Sequence, residues 1–218
     1  MKTIIEGCAA ALRIDNLDTD QIMPKQFLRG IDKSGLAPGL LYDLRFDGEG
    51  RPRPDFVLNR SAYADTRILV AGANFGCGSS REHAVWGLQQ YGIQAVIAPS
   101  FGEIFYSNAL NNQLLLVMLP LGEVQALMAA AEAGARIDID VAAMRVRGGP
   151  VDTLFTLSDR HRRMLIEGLD VIGLSLSYRA QIDAFARAHW RQQPWLQDVA
   201  RRTQQRLRPD GAPAPAAR

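Results

Sequence analysis

The segment from Arg67 to Ala98 constrains the fold more than any other part of the chain. Arg67-Ile68-Leu69-Val70-Ala71 is a short apolar run, and Gln94-Ala95-Val96-Ile97-Ala98 is a second. Short runs of this kind, bounded by turn residues, predict strands buried on both faces. Between them, Arg81 to Tyr91 reads as a helix. Strand, helix and strand make a parallel βαβ unit, whose crossover is right-handed. The chain is therefore expected to hold a parallel sheet with helices packed on it.

The flanking sequence adds to this core. Thr3 to Leu12 reads as a strand, Phe101 to Asn112 as a helix, Leu114 to Leu119 as a strand and Glu123 to Ala133 as an alanine-rich helix. Arg136 to Val141 and Met144 to Val146 read as a hairpin turning near Ala142 and Ala143, and Asp152 to Leu157 as a further strand. Ser158 stands where a helix from Asp159 to about Gly168 needs its cap, and Asp183 to Trp190 belongs to a last amphipathic helix. Arg13 to Arg60 is loop-rich, with Pro24, Pro38, Pro52 and Pro54. Long loops inside compact domains are often functional. Parallel strands followed by antiparallel ones predict one mixed α/β domain.

Composition narrows the function classes. With 47% apolar and 22% charged residues, the chain is ordinary for a globular protein. No run approaches the ~20 apolar residues of a membrane span, and Met1-Lys2-Thr3-Ile4-Ile5-Glu6 does not read as a signal peptide, so the cytoplasm is expected. Two cysteines, Cys8 and Cys77, are too few for a disulfide framework or for a cluster held by several thiolates. Residues 187–218 carry seven arginines against two aspartates. That stretch carries no nucleic-acid fold signature, which argues against nucleic-acid binding. Its end is Pro/Ala-rich, and residues 197–218 are expected to form a disordered basic tail after a domain over 1–196.

The connection inside the βαβ unit carries the chemistry. It reads Asn74-Phe75-Gly76-Cys77-Gly78-Ser79-Ser80-Arg81-Glu82-His83-Ala84. Two hydroxyls and a guanidinium at a helix N-terminus suit a carboxylate. The same residues permit a plainer reading, since Ser79 with Glu82 fits an S-x-x-E capping box. Spacing alone leaves both open. Cys77 is either a small loop residue or a thiol near a helix N-terminus. Arg81 stands where a dinucleotide fingerprint needs its third glycine, which argues against that cofactor. No G-x-S-x-G elbow surrounds Ser79, which argues against a serine hydrolase.

Gly78-Ser79-Ser80-Arg81-Glu82-His83-Ala84 resembles the active-site loop in the swivelling domain of the aconitase superfamily. Two more segments resemble that domain in the same order: Asn16 to Leu28, containing Asp18-Thr19-Asp20, and Val96 to Phe105. Counterparts of Leu41 to Phe46, Pro54 to Asn59 and Gly168 to Leu174 make the resemblance closest to the isopropylmalate dehydratase small-subunit family. It covers roughly residues 1–196.

The resemblance implies a swivelling β/β/α fold, in which helices flank a mixed, barrel-like sheet. It implies the small subunit of a two-chain hydro-lyase that isomerises 2-isopropylmalate and 3-isopropylmalate by dehydration and rehydration in leucine biosynthesis. A [4Fe-4S] cluster would lie on the partner large subunit, with none bound by this chain. Ser79 would be the base, Ser80 and Arg81 would hold substrate carboxylate, and Arg29 would lie in the loop over the variable part of the substrate. An arginine there fits an isopropyl group poorly. Either Arg29 turns outward while Leu28 and Ile31 present apolar surface, or the substrate bears a further carboxylate. The alternatives are a paralogous hydro-lyase subunit for another hydroxy-diacid or triacid, and a non-catalytic carboxylate-binding module. Glu82 reads as a cap and His83 as structural, because adjacent helical residues do not face each other. His161 and His189 lack metal-ligand spacing. Asp18 and Asp20 fit local Asx turns, and the resemblance puts Asp20 beside the site.

Overall fold

Strand β1, Ile4–Leu12, joins the two halves of the sheet. Its first half, Ile4 to Cys8, pairs antiparallel with one neighbour, and Cys8 to Leu12 pairs parallel with another. The register shifts between Cys8 and Ala9, where the strand changes partner. A computed structural model describes residues 3–28 and 33–207. Contacts divide the chain into two compact units, Met1–Val171 and Ile172–Arg218.

In the first unit, β1 leads to two one-turn helices, α1 (Thr19–Ile22) and α2 (Tyr42–Arg45), set in the loop-rich stretch. There follow β2 (Thr66–Ala71), α3 (His83–Tyr91), β3 (Ala95–Ala98), α4 (Glu103–Asn111), β4 (Leu115–Met118) and α5 (Leu121–Glu132). Then come β5 (Arg136–Asp140), β6 (Arg145–Gly148), β7 (Val151–Leu154) and α6 (Asp159–Glu167). The seven strands run in the order β4-β3-β2-β1-β5-β6-β7. The first four are parallel and the last three antiparallel, as the βαβ unit and the hairpin imply.

Side-chain alternation divides the core into two layers. Leu69 and Ala71 of β2 face one cluster with Leu12, Val96, Leu116, α1 and α3. Ile68 and Val70 face the other, with α5. Each such aliphatic side chain contributes about 1.5–3 kcal/mol when fully buried. Val117 of β4 and Val146 and Val151 of the antiparallel strands share this second cluster, because the sheet curls into a half-barrel around α5. This is the α/β class expected, a mixed curled sheet flanked by helices. The β5–β6 turn is set by Asp140, whose carboxylate accepts the Ala143 N–H at 2.8 Å, and by Met144 at φ +52°. Ser158 caps α6 by accepting the His161 N–H at 3.3 Å.

Helix α7 (Val171–Ser177) begins at the division, and the second unit carries α8 (Arg179–Gln192) and α9 (Val199–Arg206). Asp183 to Trp190 lies within α8, as expected, but α8 is not the last helix, and Arg179 pairs with Asp183 at 3.1 Å within it. Helix α9 corrects the expectation of a tail without structure from residue 197. Alanine, arginine and glutamine are good helix formers, and Asp198 pairs with Arg201 at 2.6 Å in the first turn. The Pro/Ala-rich residues 208–218 lie outside the described residues.

Candidate active site

The loops leaving β1, β2 and β3 are sewn together at the carboxyl ends of the parallel strands, the end at which open α/β sheets bind ligands. The Asn16 N–H donates to Ala73 O at 2.8 Å, the Gly76 N–H to Leu17 O at 2.7 Å and the Thr19 N–H to Cys77 O at 2.9 Å. The Phe75 N–H donates to Ser100 O at 3.1 Å, bringing in the third loop. Side chains add to the seam: Asp15 accepts the Ala73 N–H at 2.7 Å, and Asn74 donates to Asn16 at 2.8 Å. Gly76 permits the path. It has φ +75°, and a Cβ there would lie 2.3 Å from Cγ of the buried Phe105 ring.

This seam sets Ser79 against Thr19. The Ser79 N–H donates to Thr19 Oγ1 at 3.1 Å, and the two hydroxyl oxygens are 3.0 Å apart. Thr19 Oγ1 also donates to Ser79 O at 3.2 Å. Thr19 is buried and Ser79 half-buried. Ser80 is exposed, and its carbonyl accepts from Asn108 Nδ2 at 3.5 Å. Arg81 Nη1 pairs with Asp20 Oδ1, and Lys25 Nζ lies 3.9 Å from the other Asp20 oxygen. The Arg81 side chain is 23% exposed and that of Asp20 45%, so the guanidinium is the better shielded partner. Ser79 and Arg81 thus converge on Thr19 and Asp20, while Ser80 looks to solvent. Arg29 lies outside the described residues.

The capping box is not formed. Helix α3 begins at His83, with Glu82 as the N-cap position and no side-chain cap. Ser79 stands too far back in the loop to serve the first turn. Nor is Glu82 a cap by its side chain: it accepts from Asn112 Nδ2 at 2.5 Å, a residue that also holds Trp86 Nε1 at 3.1 Å. His83 packs on Trp86 with ring centroids 4.7 Å apart, consistent with a structural role. Asp18 caps α1, accepting the Gln21 N–H at 2.7 Å in a capping box. Burial holds the His161 imidazole below its ordinary range, and its ring lies 6.3 Å from Tyr106. Sequence reasoning missed Thr19 as the partner of Ser79. The signal was present in Asp18-Thr19-Asp20, but the flanking aspartates drew the chemistry to themselves.

An iron–sulfur cluster does not fit the donors of the described residues. Cys8 sits on β1 with Sγ 3.6 Å from Ala62 O, and Cys77 lies in the serine loop with Sγ 3.3 Å from Asn16 O. Among the described residues, no three His, Cys, Asp or Glu are grouped to hold a metal.

Residues 2–121, more than half of the chain, match the aconitase C-terminal domain family. A Chromobacterium violaceum protein, 3-isopropylmalate dehydratase small subunit 1, is 65% identical over 94% of this chain and 98% of its own length. The chain belongs to the 3-isopropylmalate dehydratase small-subunit family, within the aconitase superfamily. A Rhodospirillum centenum member is 47% identical over 88% of this chain and 97% of its own. A solved 3-isopropylmalate dehydratase from Methanocaldococcus jannaschii superposes with a TM-score of 0.61 at 30% identity, covering 84% of this chain and 99% of that one. In this member of the family, the half-barrel presents the serine loop and the Asp18-Thr19-Asp20 loop side by side.

Proposed function

We propose that this chain is the small subunit of 3-isopropylmalate dehydratase, a hydro-lyase of leucine biosynthesis, and that it completes the active site of a partner large subunit. The observation that carries the reading is the convergence of Ser79 and Arg81 with Thr19 and Asp20 from the neighbouring loop. The family's [4Fe-4S] cluster, placed by resemblance on the large subunit, supplies the Lewis acid for the departing hydroxyl, and this chain's part is the proton and the carboxylate.

In this reading Ser79 Oγ takes the proton from the carbon alpha to a substrate carboxylate. The C–H electron pair becomes the new double bond as hydroxyl leaves the neighbouring carbon. Rehydration with the positions exchanged gives the isomer. Serine is a weak base and needs activation by its surroundings. Arg81 holds a carboxylate: Asp20 engages Nη1, and a guanidinium has five donors in a rigid fork. Ser80, exposed beside Ser79, hydrogen-bonds the same group. Isopropylmalate is the preferred substrate in this reading, and the loop residue Arg29 is tested by substitution below. No helix of the described residues is long and apolar enough to cross a membrane, and we place the enzyme in the cytoplasm.

The test is reconstitution. The purified chain alone is expected to be colourless and inactive. Mixed anaerobically with its large subunit and iron, it is expected to isomerise isopropylmalate. A preparation of this chain that does so alone contradicts the reading.

A further inference from the structure

We infer that Thr19 is a positioning residue whose hydroxyl serves Ser79 in both protonation states by turning between two acceptors. The inference rests on the reading of Ser79 as the base.

A threonine hydroxyl has one proton to give and two lone pairs to receive with. At Thr19 all three have partners on one residue. Its oxygen accepts the Ser79 N–H at 3.1 Å, stands 3.0 Å from Ser79 Oγ, and donates to Ser79 O at 3.2 Å. With Ser79 protonated, the serine donates to Thr19 and the Thr19 proton goes to the Ser79 carbonyl. With Ser79 ionised, the Thr19 proton turns from that carbonyl to the alkoxide while the Ser79 N–H stays bound. The switch itself needs only rotation of the Thr19 hydroxyl. The 3.0 Å separation is long for a hydroxyl pair and has room to shorten when one partner is charged. The geometry therefore offers an ionised Ser79 a charge-assisted hydroxyl donor, which lowers the cost of ionisation.

The surroundings fix Thr19 for this task. Its N–H donates to Cys77 O at 2.9 Å and its carbonyl accepts the Met23 N–H at 3.0 Å, so the backbone is held on both sides. Its side chain is buried, and a β-branched residue is stiff at χ1. The charged and titratable groups nearby are engaged elsewhere. Asp20 pairs with Arg81, Asp18 caps α1, Glu82 accepts from Asn112, Cys77 contacts Asn16 O and His83 packs on Trp86. From α4, the neutral Asn108 reaches Ser80 O.

The experiment is steady-state kinetics against pH on the complex reconstituted with the large subunit and iron, using isopropylmalate as substrate. Thr19→Val removes the hydroxyl and nearly keeps the shape. It is expected to lower kcat by about 10²-fold with KM little changed. Activity requires the ionised base, and Thr19 stabilises that form. Its loss is therefore expected to move the ascending limb of kcat/KM upward by about 1–2 pH units. Thr19→Ser keeps the hydroxyl and is expected to keep the wild-type limb and recover most of kcat. If valine is not accommodated, Thr19→Ala carries the same test. A purely structural Thr19 would lower the melting temperature and leave the limb in place. A wild-type limb in Thr19→Val or Thr19→Ala, or Thr19→Ser as impaired as either, overturns the inference. A wild-type complex inert toward isopropylmalate brings down the parent reading as well, which separates the two failures.

Discussion

Asp20 and Arg81 form an ion pair that locks the loop after β1 to the loop after β2. In the proposed function, that pair orients the Arg81 guanidinium that would hold a substrate carboxylate. Because Asp20 is about half exposed, the pair adds little to stability, at most about 1 kcal/mol. Its part in the proposed function is to aim the guanidinium. Arg81→Lys is expected to cost about 2 kcal/mol in kcat/KM, roughly 30-fold, because an ammonium cannot engage Asp20 and substrate through one planar fork. The check is kcat/KM of the reconstituted complex, and wild-type values would argue against direct carboxylate contact.

Gly76→Ala tests the seam by itself. The added methyl would meet the Phe105 ring at 2.3 Å from a residue already at φ +75°. Overpacking together with left-handed strain is expected to destabilise the chain by about 3 kcal/mol. A denaturant midpoint for the isolated chain measures it, and an unchanged midpoint would mean that the loop does not pack against Phe105.

Substitution of Arg29 tests the substrate assignment. If isopropylmalate is the substrate, a panel of hydroxy-acids should show it preferred, with Arg29→Ala within a fewfold of wild type. Preference for a tricarboxylate, with Arg29→Ala losing about 2 kcal/mol or more of transition-state binding, would reassign the substrate.

Much of the fold was legible because apolar periodicity specifies faces. The alternation of Ile68, Leu69, Val70 and Ala71 between two core layers follows from their being apolar throughout. Periodicity does not name neighbours. That β1 takes β2 on one side and β5 on the other, changing partner at Cys8, depends on segments far apart in sequence. The same limit hid the contacts of the site. Ser79 and Arg81 were legible as residue types, but their partners Thr19 and Asp20 lie about sixty residues earlier. Glu82 looked like a helix cap because S-x-x-E usually is one. Asn112, its actual partner, carries no motif. Helix α9 was hidden by the Pro/Ala-rich end beside it, although its own residues favour helix.

The most direct test of the account is Ser79→Ala in the complex with the large subunit. Ser79 is not an N-cap here, so its loss removes one side-chain contact, worth about 1 kcal/mol. The variant is expected to fold, to join the large subunit and to bind isopropylmalate with an affinity close to wild type. Its kcat is expected to fall by about 10²–10⁴-fold, the contribution of a positioned base. Near wild-type kcat in a complex formed by Ser79→Ala would contradict the assignment of this loop as the source of the base.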